Sequence, residues 1–297
     1  FDELTTYIDR ACVELKLKGA AVIIGRADGT ILYRHFFGAY TAATTEPVAS
    51  VGKWWTAATL ETLREKKLID LDRPISAYLT GVPADKAAIT IRQTLSHTSG
   101  LTKPKTGGTL AETARHILSL PLTTPPGTTF RYNGSAMMVA GLIAEQVTGK
   151  PWAELFHRAL IEPLDLRQTA YIHPEAPSLS GGITTSADDL ARFLAMLAND
   201  GRYGDRTVLL PESIRDMEHD VAGRAAQFRS YTGGPLIMAG YNTGNWCEFA
   251  EPDGNCLRAS SYGANGTYPW IDRKRRIFGV FFVKDNLARD EVTFKTV

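Results

Sequence analysis

Apolar residues recur at Leu4, Ile8, Cys12 and Leu15, a spacing that predicts a helix over residues 2–17. An apolar run at 20–24 follows, then Asp28-Gly29, then a second run at 31–37. Two such runs around a glycine turn predict a β-hairpin closed by a type I′-like turn. From residue 54 to about residue 201 the period becomes helical, with candidate helices at 54–67, 91–95, 110–118, 135–148, 152–160 and 187–198. Proline and glycine clusters punctuate them at Arg73-Pro74, Pro125-Pro126-Gly127, Glu162-Pro163 and Gly181-Gly182. Past Arg206 the texture turns to strands, at 235–241, 245–249, 257–261, 267–271 and 277–283. A helical middle between two β-bearing ends predicts an α/β (α+β) fold. Its antiparallel sheet is built from both chain ends and flanked by terminal helices, with an all-helical unit inserted. The expected units are 1–62 with 206–297 for the sheet and 63–205 for the helices, with a site at their seam.

Length and composition narrow the picture. A chain of 297 residues admits two domains or one large one. Its 33 basic and 32 acidic residues leave a net charge of +1, which argues against a general nucleic-acid binder and against a polybasic membrane-surface protein. The longest apolar stretches, 19–25 and 277–283, fall far short of the roughly 20 residues of a membrane span. None of the six histidines pairs at the spacing of a zinc helix, and no CxxC occurs, so neither a metal nor a cofactor is expected. Cys247 and Cys256 flank Glu251-Pro252-Asp253-Gly254-Asn255, a strong turn sequence. Either they bridge, which suits a periplasmic or secreted protein, or they are two free thiols. Cys12 reads as a buried apolar residue. A first residue Phe1 rather than Met reads as a processed or trimmed start.

Ser50-Val51-Gly52-Lys53, directly before a helical run, is the segment with chemistry in it. Residues three apart share a helix face, so the Lys53 amine can reach the Ser50 hydroxyl. A helix N-terminus favours developing negative charge, and a buried lysine with a lowered pKa serves as a base. Gly52 leaves room beside the serine for a substrate or another backbone. Taken alone, the tetrapeptide is weak evidence for chemistry and reads as a serine cap followed by a solvated lysine.

Its surroundings bear a wider resemblance. Ala49 to Ala57 with Glu65 to Pro74, Ile89 to Leu101, Pro126 to Tyr132, and Gly181 to Leu190 resemble signature segments of the serine β-lactamase-related, penicillin-binding-protein-like family. That family holds class C β-lactamases, D-alanyl-D-alanine peptidases and β-lactamase-like esterases. The likeness spans about residues 15–282 in order and spacing. It implies a serine nucleophile at Ser50, a base at Lys53, and proton relay by Tyr132. It also implies an oxyanion hole from the backbone N–H groups of Ser50 and Ala264.

Two departures bear on the substrate. The family's Tyr-x-Asn reads Tyr132-Asn133-Gly134 here, so the motif asparagine is absent and Asn133 is the candidate to share its role. Where the family carries Lys or His before a glycine, the matching segment is Ser261-Tyr262-Gly263, or begins one residue earlier at Ser260. Asn133, Ser261, Tyr262, Gly263 and one of the Trp54-Trp55 pair, Trp54, are the expected substrate-binding residues. His97 reads as a buried, hydrogen-bonded histidine, and Asp188-Asp189 as helix capping rather than a carboxylate pair. Trp246, Tyr262, Tyr268 and Trp270 either pack or wall the cleft. The resulting expectation is a serine hydrolase of small acyl esters. A D-amino-acid peptidase, amidase or β-lactamase stands as the alternative, and a penicillin-binding sensor without turnover as the rival of another class. A cation near Ser50, with Arg258 and Lys105 as candidates, would favour substrates that carry a carboxylate.

Overall fold

The computed structural model describes residues 1–104, 107–219, 222 and 238–285. Along the chain run α1 (Asp2–Glu14), β1 (Gly19–Arg26), β2 (Ile31–Gly38), β3 (Thr45–Pro47) and α2 (Gly52–Glu65). Then come α3 (Ile91–Leu95), α4 (Leu110–Ser119), α5 (Met137–Thr148), α6 (Trp152–Phe156), β4 (Ala170–Tyr171), β5 (Ile183–Ser186) and α7 (Ala187–Ala198). The last part holds β6 (Arg202–Tyr203), β7 (Arg206–Thr207), α8 (Pro211–Glu218), β8 (Gly240–Tyr241), β9 (Trp246–Ala250), β10 (Cys256–Ser260), β11 (Gly266–Asp272) and β12 (Ile277–Lys284). Residues 105, 235–237 and 286–297 lie outside the described set. The candidate cation Lys105, the start of the strand expected at 235–241, and the C-terminal helix of the expected architecture therefore fall there.

Seven strands form one sheet in the order β2-β1-β12-β11-β10-β9-β8, every pairing antiparallel. Its centre joins the two chain ends, from Ala20 opposite Val283 to Arg26 opposite Ile277. Side chains alternate across a strand, so β1 serves two cores. Ala20 and Val22 pack with Ile8 and Cys12 of α1, while Ala21 and Ile23 face the larger core with Phe193 and Leu194 of α7. Although α7 lies in the helical middle of the sequence, it packs on β1, β11 and β12. The β1–β2 connection differs from a type I′ turn. Among its residues only Gly29 has a positive φ, 88°, where type I′ needs two.

Two features bring distant residues to one place. In α2, every residue from Gly52 to Leu63 is buried. Its threonine hydroxyls find carbonyl acceptors: Thr56 Oγ1 donates to the Leu179 carbonyl at 2.6 Å, and Thr59 Oγ1 to the Trp55 carbonyl at 2.9 Å. A second, three-stranded sheet, β3-β5-β4, sets Thr45 opposite Ser186 and Pro47 opposite Thr184. The Val48 N–H extends that ladder to the Ile183 carbonyl at 3.0 Å, which lays residues 180–182 beside residues 49–52. A disulfide joins Cys247 to Cys256 across β9 and β10, with Cα atoms 5.6 Å apart.

Candidate active site

Ser50 stands in a single 3₁₀ turn, Ala49–Val51, that leads into α2. Ala49, just before it, has φ 47°, a left-handed conformation that costs a residue with a Cβ about 1 kcal/mol. The surrounding backbone holds it there. A Cβ on Gly263 would sit 2.3 Å from the Val48 carbonyl oxygen, so only glycine lets that strand end approach the turn. On the other side Gly52 backs onto the Gly181 backbone, the second of the two uses the sequence left open for it.

The three-residue spacing places Lys53 Nζ 2.8 Å from Ser50 Oγ, where it donates a hydrogen bond. Nζ also donates to the Ser180 carbonyl at 2.9 Å and lies 4.8 Å from the centroid of the Tyr132 ring. Only 3% of Lys53 is exposed. Burial first, and the positive charge of Lys103 second, bring its pKa down to about 7. Contact with the Tyr132 ring favours the cation and works the other way, but burial prevails. A substantial fraction of Lys53 is therefore neutral amine at neutral pH, able to accept a proton from the hydroxyl it touches.

Tyr132 belongs to an aromatic stack. Its ring lies 5.4 Å from Trp246 at 19° between planes, and Trp246 lies 5.8 Å from Tyr262 at 6°. Trp246, Tyr262, Tyr268 and Trp270 are each at most 7% exposed, so packing accounts for them. Gly134 holds the position of the absent motif asparagine. A Cβ there would meet Ser180 Cβ at 2.3 Å and Lys53 Cε at 2.9 Å, so the Ser180 side chain fills that volume. Asn133, the candidate to share that role, is held by backbone. Its amide donates to the Leu101 carbonyl at 2.7 Å and its side-chain oxygen accepts the Ser135 N–H at 3.1 Å, so both ends of the side chain hold backbone.

The structure separates the two serines of the third segment. Ser261 Oγ donates to the Ser50 carbonyl at 3.3 Å, whereas Ser260 is fully buried between its strand partners Trp246 and Trp270. Ala264 is exposed in the turn beyond Gly263, and its N–H has no backbone acceptor among the described residues. Trp54 is a correction. It is fully buried and lies edge-on to Phe193, with ring centroids 6.2 Å apart, because α2 is enclosed on every side. Trp55 is equally buried, so neither tryptophan lines a cleft. Arg258 is also engaged elsewhere: it pairs with Glu248 at 3.2 Å and lies 4.5 Å over the Trp270 ring. The cation felt at Lys53 is Lys103, which sequence reasoning missed, as it missed Ser180. The Gly181-Gly182 pair was the only local sign that this backbone runs close to another. Among the described residues no three His, Cys, Asp or Glu side chains gather to hold a metal, and no helix is long and apolar enough to cross a membrane.

Comparison with known proteins adds to this geometry. A family model described as Beta-lactamase matches residues 6–294. Esterase EstB of Burkholderia gladioli is 28% identical over 204 residues, 58% of this chain and 52% of that protein. Penicillin-binding protein 4 of Amycolatopsis lactamdurans is 27% identical over 229 residues, 63% of this chain and 60% of that protein. The chain thus spans little more than half the length of these curated relatives. A crystal structure from Bacteroides dorei DSM 17855, named for the same family, superimposes with a TM-score of 0.88 at 31% identity, over 96% of this chain and 90% of that one.

Proposed function

The chain belongs to the beta-lactamase family, and from that premise we propose that it is a serine hydrolase whose acyl-enzyme forms on Ser50, with small acyl esters as substrates. The observation that carries this reading is a buried Lys53, with a pKa of about 7, placed 2.8 Å from the Ser50 hydroxyl. Neutral Lys53 takes the Ser50 proton as Oγ bonds to the substrate carbonyl carbon. The oxyanion is received by the N–H groups of Ser50 and Ala264, donors typically worth about 3 kcal/mol of barrier each. Collapse of the adduct breaks the acyl–oxygen bond, and the proton reaches the leaving alkoxide from Lys53 through the Tyr132 phenol. Water then attacks the acyl-enzyme by the same route, which releases the acid and restores Ser50.

The ester preference rests on what borders the nucleophile. Ser261, a neutral hydroxyl, stands where a cation would anchor a substrate carboxylate, and Ser180 occupies the volume of an absent side-chain amide. The likeness to a protein named an esterase agrees. One observation favours a second reading, a peptidase for substrates with a carboxylate: the charge of Lys103 reaches Lys53 and would also reach a bound anion. The Cys247–Cys256 bridge supports an oxidising compartment.

Purified protein and its Ser50→Ala variant are assayed with p-nitrophenyl acetate and with a D-Ala-D-Ala peptide. Ester hydrolysis lost in the variant, and faster than peptide cleavage in the parent, is the expected result. Full ester hydrolysis by Ser50→Ala removes Ser50 from the mechanism. A stable adduct on Ser50 after a fluorophosphonate or a penicillin, with no turnover of either substrate, makes the protein a sensor.

A further inference from the structure

His97 is buried, with 2% of its surface exposed, yet it contributes nothing to the proton route above. It sits at φ 60°, again in the left-handed region, and its neighbours account for that conformation. The Arg131 N–H donates to the His97 carbonyl at 2.8 Å, and the Asn133 N–H donates to His97 Nδ1 at 3.2 Å. These are the residues on either side of Tyr132. The imidazole ring itself lies 4.5 Å from the Tyr132 ring, tilted at 57°, with Phe130 and Tyr241 against its other sides at 5.9 and 4.6 Å. One histidine therefore grips the backbone before and after Tyr132 and packs against its side chain.

We infer that His97 is a positioning residue, which fixes the Tyr132 phenol for proton transfer by holding Arg131 and Asn133 through its carbonyl and its Nδ1. The inference rests on the role proposed for Tyr132. Nδ1 accepts only from a neutral ring whose proton is on Nε2. Burial, reinforced by the charge of Lys53, pushes the imidazole pKa well below the usual histidine value, so the ring stays in that form. An ordinary core histidine would need no particular acceptor at Nδ1. Here the loss of that acceptor strands a backbone N–H one residue from the phenol.

The test compares His97→Asn with His97→Gln, each in the parent and in a Tyr132→Phe background. Asparagine accepts a left-handed φ and can set its oxygen near the place of Nδ1; glutamine cannot set its own there. With p-nitrophenyl acetate, His97→Gln is expected to lower kcat at least tenfold with KM within twofold, and His97→Asn to stay within threefold of the parent. In the Tyr132→Phe background the effect of His97→Gln is expected to fall below twofold, since nothing remains to be positioned. An equal loss in both backgrounds, or equal damage from Asn and Gln, overturns the inference. Amide hydrogen exchange over residues 131–133 is read in parallel: protected in the parent and His97→Asn, faster in His97→Gln. Unchanged exchange in His97→Gln also overturns it. If Tyr132→Phe alone leaves kcat unchanged, the proton route through Tyr132 fails instead, and exchange still decides the grip. Should His97→Gln not fold, loss of protection in His97→Asn overturns the inference.

Discussion

Replacement of Lys53 by Met should stabilise the protein, by an amount that depends on pH. Lysine has its ordinary pKa of 10.5 in the unfolded chain and about 7 in the fold. That gap of about 3.5 units corresponds to roughly 5 kcal/mol at about 1.36 kcal/mol per unit. The sign follows from proton binding. Below pH 7 both states hold the proton, and the fold bears the whole cost of a buried ammonium. Between pH 7 and 10.5 the folded state has released the proton while the unfolded chain keeps it, so wild-type stability rises with pH. Above 10.5 neither state is charged and the cost is gone. Methionine is similar in volume and has no charge to bury. It also forfeits the hydrogen bonds to Ser50 Oγ and the Ser180 carbonyl, roughly 1 kcal/mol each, which is largely independent of pH. The absolute difference between variant and wild type therefore mixes two opposed effects, and its pH dependence isolates one. Urea unfolding at pH 6, 7.5 and 9 should show the stability advantage of Lys53→Met shrinking by about 3 kcal/mol from the lowest pH to the highest. An advantage constant to within about 1 kcal/mol, or one that grows with pH, would falsify the claim that Lys53 is held near neutrality by burial.

Three further outcomes follow from the same geometry. The kcat/KM for ester hydrolysis should climb about tenfold per pH unit below 7 and level off above it, as Lys53 loses its proton; a limb centred near pH 10 would contradict the lowered pKa. Gly134→Ala should lower ester hydrolysis at least tenfold, because its Cβ meets Ser180 Cβ at 2.3 Å, and Ser180→Gly added to it should recover most of the loss; no recovery would show that the clash acts elsewhere. Replacing Cys247 and Cys256 by Ser should cost about 3 kcal/mol of stability, the loop-closure value for so short a loop, and an equal midpoint in urea with and without reductant would show that the bridge contributes nothing.

Local chemistry was legible in the sequence where the contact is local. Ser50 and Lys53 meet because they lie three positions apart, and the apolar runs around Asp28-Gly29 and at 277–283 became strands of one sheet. Trp54 was misplaced for a reason visible in its helix. Lys53, Thr56, Thr59, Glu61 and Thr62 give α2 the look of a half-exposed helix, but the amine, the hydroxyls and one carboxylate oxygen find partners in its own turns, in the Ser180 and Leu179 carbonyls, and in Arg64. With those groups satisfied, the helix is buried all round and both tryptophans lie inside. Ser180 and Lys103 were invisible for the opposite reason. They arrive from 127 residues after Lys53 and from a separate loop, and no periodicity reports such a meeting.

The pairing of β1 with β12 also sets the order in which this molecule can be made. Ala20 and Val283 are neighbours in the sheet but about 260 residues apart along the chain. At ribosomal rates of about 5–20 residues per second, β1 waits on the order of tens of seconds for its central partner. Until then the nascent chain carries a hairpin with one apolar strand edge uncovered, a template for pairing with another chain. Gly263 and the strand behind it arrive late as well, so the turn that bears Ser50 has no backbone to close against it before then. β12 must be synthesised before the sheet can close, and a chain released from the ribosome before that point would contain Ser50, Lys53 and Tyr132 without the sheet that arranges them.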